Sequence, residues 1–129
     1  ERVKALTDGV GVPVVFDSVG RDTFVASLDC LQPRGLMVSY GNASGAVEPF
    51  SPGVLAAKGS LFLTRPTLAT YISTREELDA TTTELFAVVR SGAVTVQVSQ
   101  VVPLEDAANA HRDLEARKTT GSTVLMMEG

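Results

Sequence analysis

The stretch Val14-Val15-Phe16-Asp17-Ser18-Val19-Gly20 decides the fold of this chain. Its apolar run predicts a strand that is covered on both faces, as in a parallel sheet, because a half-exposed strand would alternate. A second apolar run followed by a small-residue turn spans residues 36–42, and a third strand is predicted over residues 60–65. The chain therefore repeats one unit, a buried strand that ends in a turn rich in small residues.

Helical patterns separate these strands. Phe24, Val25, Leu28 and Leu31 recur at helical spacing and predict a helix that residues 32–35 stop. Ser51-Pro52 predicts the start of a second, shorter helix that ends near Lys58. Strand, helix, strand, helix, strand with short links is typical of βαβ units with right-handed crossovers. The predicted fold class is α/β.

The pattern changes after Pro66, where we place a domain boundary between residues 1–66 and 67–129. Thr74-Arg75-Glu76-Glu77 has the spacing of a capping box and predicts a helix behind it. Residues 94–99 alternate strictly and predict a strand with one exposed face. A helix from Pro103 to about Lys118 and a last strand over residues 122–127 are expected to complete the chain.

Composition excludes several classes of function. The 129 residues contain 11 Lys and Arg against 15 Asp and Glu, so the chain lacks the basic footprint of a nucleic-acid-binding protein. No apolar run approaches the roughly 20 residues of a membrane span. A single cysteine excludes an internal disulfide and a zinc cluster within the chain, and it favours a cytoplasmic protein. The chain starts with Glu1 inside a helical pattern, so we expect a piece of a longer protein.

Candidate binding residues lie where the predicted strands end, because parallel sheets bind ligands beyond their carboxyl ends. These ends are residues 17–20, 40–42 and 64–66. Glycines there allow a ligand to approach the backbone, but strand-to-helix turns favour glycine and small polar residues in any case. Spacing alone leaves both interpretations open. Gly9-Val10-Gly11 is no phosphate-binding fingerprint, since it precedes a strand, so a pyrophosphate loop would lie before residue 1.

Single residues with reactive or charged side chains say less about function than these turns do. His111 is expected to be a hydrogen-bonded core histidine, and Cys30 an inert core thiol. Arg65 and Arg117 adjoin turns, where a guanidinium reaches a phosphate or an amide oxygen, although isolated surface arginines are more often simply solvated.

Several motifs in order make the chain similar to a known family. It resembles the C-terminal part of bacterial NADPH:quinone oxidoreductases, the zeta-crystallin-like branch of the medium-chain dehydrogenase/reductase superfamily. The resemblance covers essentially the whole chain. Its motifs are residues 17–24, 27–31, Gly35-Leu36-Met37-Val38-Ser39-Tyr40-Gly41-Asn42, Lys58-Gly59-Ser60-Leu61, Thr64-Arg65-Pro66, 103–107 and 110–122.

The resemblance implies an arrangement of domains and a cofactor. Residues 1–66 would be the second half of a Rossmann-type parallel sheet that binds NADPH, and residues 67–129 an α+β segment of a GroES-like substrate domain. The implied cofactor-binding residues are Ser18 and Val19 near the ribose, Tyr40, Gly41, Asn42, Thr64 and Arg65 near the nicotinamide, and Arg117, which would close over the cofactor from the substrate domain.

The resemblance also implies a reaction and a partner. Hydride would pass directly from the nicotinamide to a quinone, with no zinc and no catalytic residue in this chain, and the chain alone would be inactive. The family dimerises through the edge strand, here residues 60–65. A related NADPH-dependent enoyl or alkenal reductase, or a non-catalytic α/β interaction module, remains as an alternative.

Overall fold

The computed structural model describes residues 1–127, which fall into two compact units, Glu1–Ser73 and a second unit that begins at Thr74. The first unit contains α1 (Arg2–Leu6), β1 (Val12–Asp17), α2 (Phe24–Asp29), β2 (Leu31–Ser39), α3 (Gly53–Ala57), β3 (Phe62–Thr64) and α4 (Leu68–Tyr71). The second contains α5 (Arg75–Arg90), β4 (Val98–Pro103), a 3-10 turn (Leu104–Asp106), α6 (Ala107–Glu115) and β5 (Ser122–Met126). None of the helices in residues 1–127 is long and apolar enough to span a membrane.

The first unit is a three-stranded parallel sheet with strand order β1-β2-β3, which confirms the α/β fold class. Val15 pairs with Met37, and Met37 pairs with Leu63. Because all three strands run in the same direction, the turns that follow Asp17, Ser39 and Thr64 emerge at one edge of the sheet. We call this edge the carboxyl edge.

The core of the first unit lies on one face of the sheet. Its buried hydrophobic residues are Phe24 and Leu28 of α2, Leu31 and Met37 of β2, and Leu61. The expectation that β1 is covered on both faces is wrong for the described residues, because Phe16 is 71% exposed. Val15 packs against the core, whereas its neighbour Phe16 points to the other face, since side chains alternate along a strand.

The second strand begins earlier than predicted. The helix α2 ends at Asp29, and Leu31 belongs to β2, where it pairs with Val12. Residues 32–35 do not simply stop a helix, because they form an irregularity within the strand. Arg34 adopts a φ of 61° there, and its N–H donates to the Gly59 carbonyl at 2.8 Å. Pairing with β1 therefore overrides the helical spacing of Leu31.

The second unit begins with the predicted capping box. The Glu77 N–H donates to Thr74 Oγ1 at 3.2 Å, and the Thr74 N–H donates to Glu77 Oε2 at 3.0 Å, which fixes the start of α5. The next strand is displaced from the predicted residues 94–99 to Val98–Pro103. The Val94 N–H instead donates to the Val88 carbonyl in the turn that follows α5.

Pairing with the last strand sets the position of β4. Val98 pairs with Ser122 and Pro103 with Met126 in a two-stranded parallel sheet. The helix α6 ends at Glu115, because Arg117 adopts a positive φ of 56°. The interpretation of His111 as a core residue is wrong for the described residues, where its side chain is exposed.

Candidate functional site

The carboxylate of Asp17 organises the turn that follows β1. Only 4% of this residue is exposed. Its Oδ1 accepts hydrogen bonds from the N–H groups of Val19 at 2.8 Å and Gly20 at 2.9 Å. Its Oδ2 accepts from the hydroxyls of Thr23 and Ser27, each at 2.7 Å. One side chain therefore joins the end of β1, the turn and the first residues of α2.

These hydrogen bonds keep Asp17 ionised. Burial raises the pKa of the carboxyl, but the hydrogen bonds from Gly20, Ser27, Thr23 and Val19 outweigh it and hold the pKa below its ordinary value of 3.8. The role of Asp17 as a hydrogen-bond acceptor for the turn and for α2 was not predicted from the sequence. The available signal was the spacing of hydroxyl residues six and ten positions after a carboxylate that ends a strand.

Backbone hydrogen bonds join the turn after β1 to the loop after β2. Each bond pairs an N–H with a carbonyl of the other segment, so its strength does not depend on side-chain identity. The bonds are Tyr40 N to Asp17 O (2.9 Å), Ala43 N to Ser18 O (3.2 Å), Ser44 N to Val19 O (2.8 Å) and Arg21 N to Gly45 O (3.1 Å). We call the pair of segments, residues 18–21 and 40–45, the joined loops.

Two glycines allow the joined loops to approach this closely. A Cβ on Gly41 would lie 2.3 Å from the Ser18 carbonyl oxygen, a distance that no side chain tolerates. Gly20 has a φ of 88°, and a Cβ there would lie 2.6 Å from the Gly45 carbonyl oxygen. The glycines are needed for contact between the loops, which is a reason for their presence independent of any ligand.

The structure brings seven of the eight predicted site residues to the carboxyl edge. Five of them lie in the joined loops: Ser18, Val19, Tyr40, Gly41 and Asn42. Tyr40 is the first residue of the second loop and is exposed. Thr64 ends β3, and Arg65 follows it with an exposed side chain; both are part of the same edge. Whether these residues bind a cofactor stays a prediction.

Arg117 is the eighth predicted residue and belongs to the second unit. It is exposed, and its N–H donates to the Leu114 carbonyl at 3.0 Å in the turn that ends α6. Its positive φ of 56° places it in the left-handed region that non-glycine residues seldom adopt. The other seven residues belong to the first unit.

Two cavities of the first unit meet at Arg65. One, of about 290 Å³, lies beside the second joined loop and is lined by residues that include Phe24, Ser39, Asn42 and Phe50. The other is a groove of about 480 Å³ lined by Tyr40, Arg65, Pro66, Thr67, Leu68 and Tyr71. Within residues 1–127 the guanidinium of Arg65 makes no hydrogen bond or ion pair. Arg65 therefore offers an unpaired cation to a ligand in either cavity.

A family of known proteins matches nearly all of these elements. The family model described as zinc-binding dehydrogenase covers residues 1–125. The chain belongs to the zinc-binding dehydrogenase family. The part of the chain that the structure describes contains no group of three or more His, Cys, Asp and Glu residues placed to hold a metal ion.

Two relatives show which members of the family this chain is similar to. The chain is 56% identical over 128 residues to quinone oxidoreductase 1 of Escherichia coli, and the match covers 98% of this chain and 39% of the relative. It is 46% identical over 127 residues to a 2-haloacrylate reductase of a Burkholderia species, covering 98% of this chain and 38% of the relative. The chain thus spans less than two-fifths of the length of these relatives.

Solved structures agree with the sequence matches. The E. coli quinone oxidoreductase in complex with NADPH superimposes with a TM-score of 0.88 at 55% identity, covering 97% of this chain and 39% of the other. A mycobacterial protein in complex with NADPH superimposes with a TM-score of 0.89 at 50% identity over the same shares of the two chains. This chain therefore has the fold of the matching part of quinone oxidoreductases.

Proposed function

We propose that this chain is the C-terminal part of an NADPH-dependent quinone oxidoreductase and contributes the nicotinamide side of its cofactor site. The observation that carries the proposal is the gathering of seven predicted cofactor residues at one edge of a parallel sheet, the edge at which such sheets bind ligands. The high identity to quinone oxidoreductase 1 of E. coli and the NADPH complexes of two similar structures support it.

The residues at the carboxyl edge fit the nicotinamide end of NADPH. The amide of Asn42 and the hydroxyl of Ser18 are exposed there, and the Arg65 guanidinium is unpaired within the described residues. Hydrogen-bond donors of this kind suit the carboxamide and ribose oxygens. The joined loops restrain the backbone at Ser18 and Asn42, because four backbone hydrogen bonds and the Asp17 carboxylate hold the two segments together.

The chain's role in the reaction is to bind and orient. Bound NADPH supplies the hydride. No residue of this chain acts as a nucleophile in the proposal, since direct hydride transfer needs positioning and electrostatic stabilisation only. Arg65 holds a positive charge at the site, where it stabilises negative charge that develops on the oxygen of an acceptor. Arg117 would close over the cofactor from the second part of the chain.

Four further features belong to the same proposal. The reaction needs no zinc, as the resemblance to the zeta-crystallin-like branch implies. Residues 67–129 belong to the substrate domain.

The protein forms a homodimer through the edge strand at residues 60–65, where Phe62 is 62% exposed and β3 pairs with β2 on its other side. The protein acts in the cytoplasm, in keeping with its single cysteine.

A second candidate is an NADPH-dependent reductase of activated alkenes. The specific observation in its favour is the 46% identity to a 2-haloacrylate reductase. Both acceptor classes place a carbonyl or carboxylate oxygen in conjugation with the carbon that accepts hydride. The same unpaired cation, Arg65, serves either acceptor.

The test is a chimeric enzyme in which this chain replaces the matching segment of quinone oxidoreductase 1 of E. coli. We expect NADPH oxidation with a simple quinone, and Arg65→Ala lowers kcat/KM about 10- to 100-fold, the equivalent of about 1.5–3 kcal/mol for a charged hydrogen bond. Arg75→Ala is the matched control, because Arg75 is exposed and pairs with Asp79 at the start of α5. A well-folded chimera without quinone turnover, or equal losses in both variants, contradicts the proposal. Turnover of 2-haloacrylate alone favours the second candidate.

A further inference from the structure

The groove at the end of β3 is a built feature of the first unit. Pro66 ends the strand, and Thr67 takes an extended conformation before α4. The hydroxyls of Thr67 and Thr70 lie 2.9 Å apart in a hydrogen bond, and the Ile72 N–H donates to the Leu68 carbonyl at 3.1 Å. This single helical turn places residues 68 and 71 on one side of α4, because residues three apart lie on the same helix face.

The walls of the groove have the chemistry of a site for a flat conjugated ring. Tyr40 and Tyr71 supply aromatic faces, and Leu68 and Pro66 supply apolar surface. Arg65 adds a cation that is unpaired within residues 1–127. Aromatic rings stack on conjugated rings at moderate gain in free energy, and a guanidinium interacts with a carbonyl oxygen at the ring edge.

Within residues 1–127, these apolar walls lie outside the core. Tyr71 is 65% exposed, Leu68 is 70% exposed, and neither packs against the buried cluster of the first unit. Exposed apolar surface that borders a concave site is typical of ligand recognition. The groove volume of about 480 Å³ lies in the range of small-molecule sites.

We propose that this groove binds the ring of the quinone acceptor and that Tyr71 is a specificity-determining residue for it. The inference rests on the proposed function for the class of acceptor. It goes beyond the proposed function because it gives each ligand its own site. The joined loops hold the nicotinamide end of the cofactor, α4 holds the ring of the acceptor, and Arg65 serves both sites because it lines both cavities. Tyr40 stands between the two sites, since it lies in the joined loops and also lines the groove.

The chain carries its own probe for this proposal. It contains two tyrosines and no tryptophan, and both tyrosines line the groove. The tyrosine fluorescence of the chain therefore comes entirely from residues that line the groove. A quinone bound there quenches it, because quinones accept electrons from excited phenols. Tetramethyl-1,4-benzoquinone is the suitable probe, since its fully substituted ring leaves no carbon free for addition of the Cys30 thiol.

The experiment titrates this chain with tetramethyl-1,4-benzoquinone and records tyrosine emission. We expect saturable quenching, whose apparent Kd rises about tenfold in Tyr71→Ala and changes little in Tyr71→Phe, which keeps the ring. Leu104→Ala, in an exposed position of the second unit, is the matched control and leaves the Kd unchanged. Circular dichroism verifies that each variant is folded. Linear quenching equal to that of free N-acetyltyrosinamide overturns the proposal, as does an unchanged Kd in Tyr71→Ala.

Kinetics in the E. coli chimera separate this proposal from the proposed function. Tyr71→Ala is expected to raise KM for the quinone about tenfold while KM for NADPH stays within twofold. Equal increases in both constants would assign the groove to the nicotinamide and overturn the proposal. Saturable quinone binding by the chain, together with a chimera that does not turn over quinone, would support the groove and contradict the proposed function.

Discussion

The two units of the chain use their apolar residues differently. The first unit buries five hydrophobic side chains in one cluster beneath its three-stranded sheet. In the described part of the second unit, neither α5 nor α6 buries a residue, and its sheet has two strands. Removal of apolar surface from water is the main stabilising contribution to a fold. The first unit therefore has a core of its own, whereas the described part of the second unit is joined by the pairing of β4 with β5 and by the cap of α5.

Truncation of one leucine in each unit tests this difference most directly. Leu28 in α2 is 1% exposed and Leu114 in α6 is 61% exposed. We expect Leu28→Ala to lower the free energy of unfolding by about 2.7–5 kcal/mol, because it leaves a cavity in the core. Leu114→Ala is the matched control, with an effect within about 0.5 kcal/mol. Urea denaturation measures both, and losses of similar size would refute the comparison.

Acidification should act on the first unit through Asp17. The pKa of this carboxyl is lowered in the folded chain, so its stabilising contribution is complete above about pH 4, the ordinary range of an aspartate, and is lost as the pH falls through the folded pKa. Asp17→Asn removes the titration and costs about 1.5–3 kcal/mol at neutral pH, since the acceptor is no longer charged.

Unfolding by urea between pH 6 and 2 measures this effect. We expect the unfolding free energy of the unaltered chain to fall more steeply with acid than that of Asp17→Asn. Asp79→Asn is the control, because Asp79 is exposed and its pair with Arg75 lies on the surface of α5. Parallel profiles for the chain and Asp17→Asn would show that Asp17 contributes nothing to the acid sensitivity of the first unit.

The smallest expected loss of stability comes from removing the cap of α5 in the second unit. Thr74→Ala removes the hydroxyl that accepts from the Glu77 N–H and should destabilise α5 by about 1 kcal/mol. Faster amide hydrogen exchange in the first turns of α5 is the measurement. Thr81→Ala on the same helix is the control and should leave exchange in those turns unchanged. Accelerated exchange in the sheet of the first unit would instead indicate that the two units depend on the same cap.

Local signals predicted the parts of the fold that local interactions decide. The capping box of α5 follows from four adjacent residues, and the strands β1 and β2 follow from their apolar runs. The position of β4 depended on pairing with β5, more than 20 residues later, so the alternation at residues 94–99 predicted the wrong segment. Leu31 was misplaced for the same reason, because its partner Val12 lies in another strand.

The sequence located the turns of the candidate site, but it did not predict the hydrogen bonds that hold these turns in place. The rule that parallel sheets bind ligands at their carboxyl ends located the turns after Asp17, Ser39 and Thr64. The hydrogen bonds of Asp17 to Thr23 and Ser27 depend on the rotation of α2 against β1, which no local pattern specifies. The groove likewise required α4, a single turn too short to produce a periodic pattern.

The joined loops have a consequence for how such a protein can diverge. Their four connecting bonds are formed by the backbone, so the shape of the edge survives the exchange of most side chains in residues 18–21 and 40–45. Gly20 and Gly41 are exceptions, because a methyl group at either would collide with a carbonyl oxygen. Gly45 is a third, because its φ is 114°, and Ser44 is a fourth, because its hydroxyl donates to the Val19 carbonyl at 2.8 Å. Natural selection can therefore vary the chemistry displayed at this edge one residue at a time without a new loop, provided that these four residues are kept.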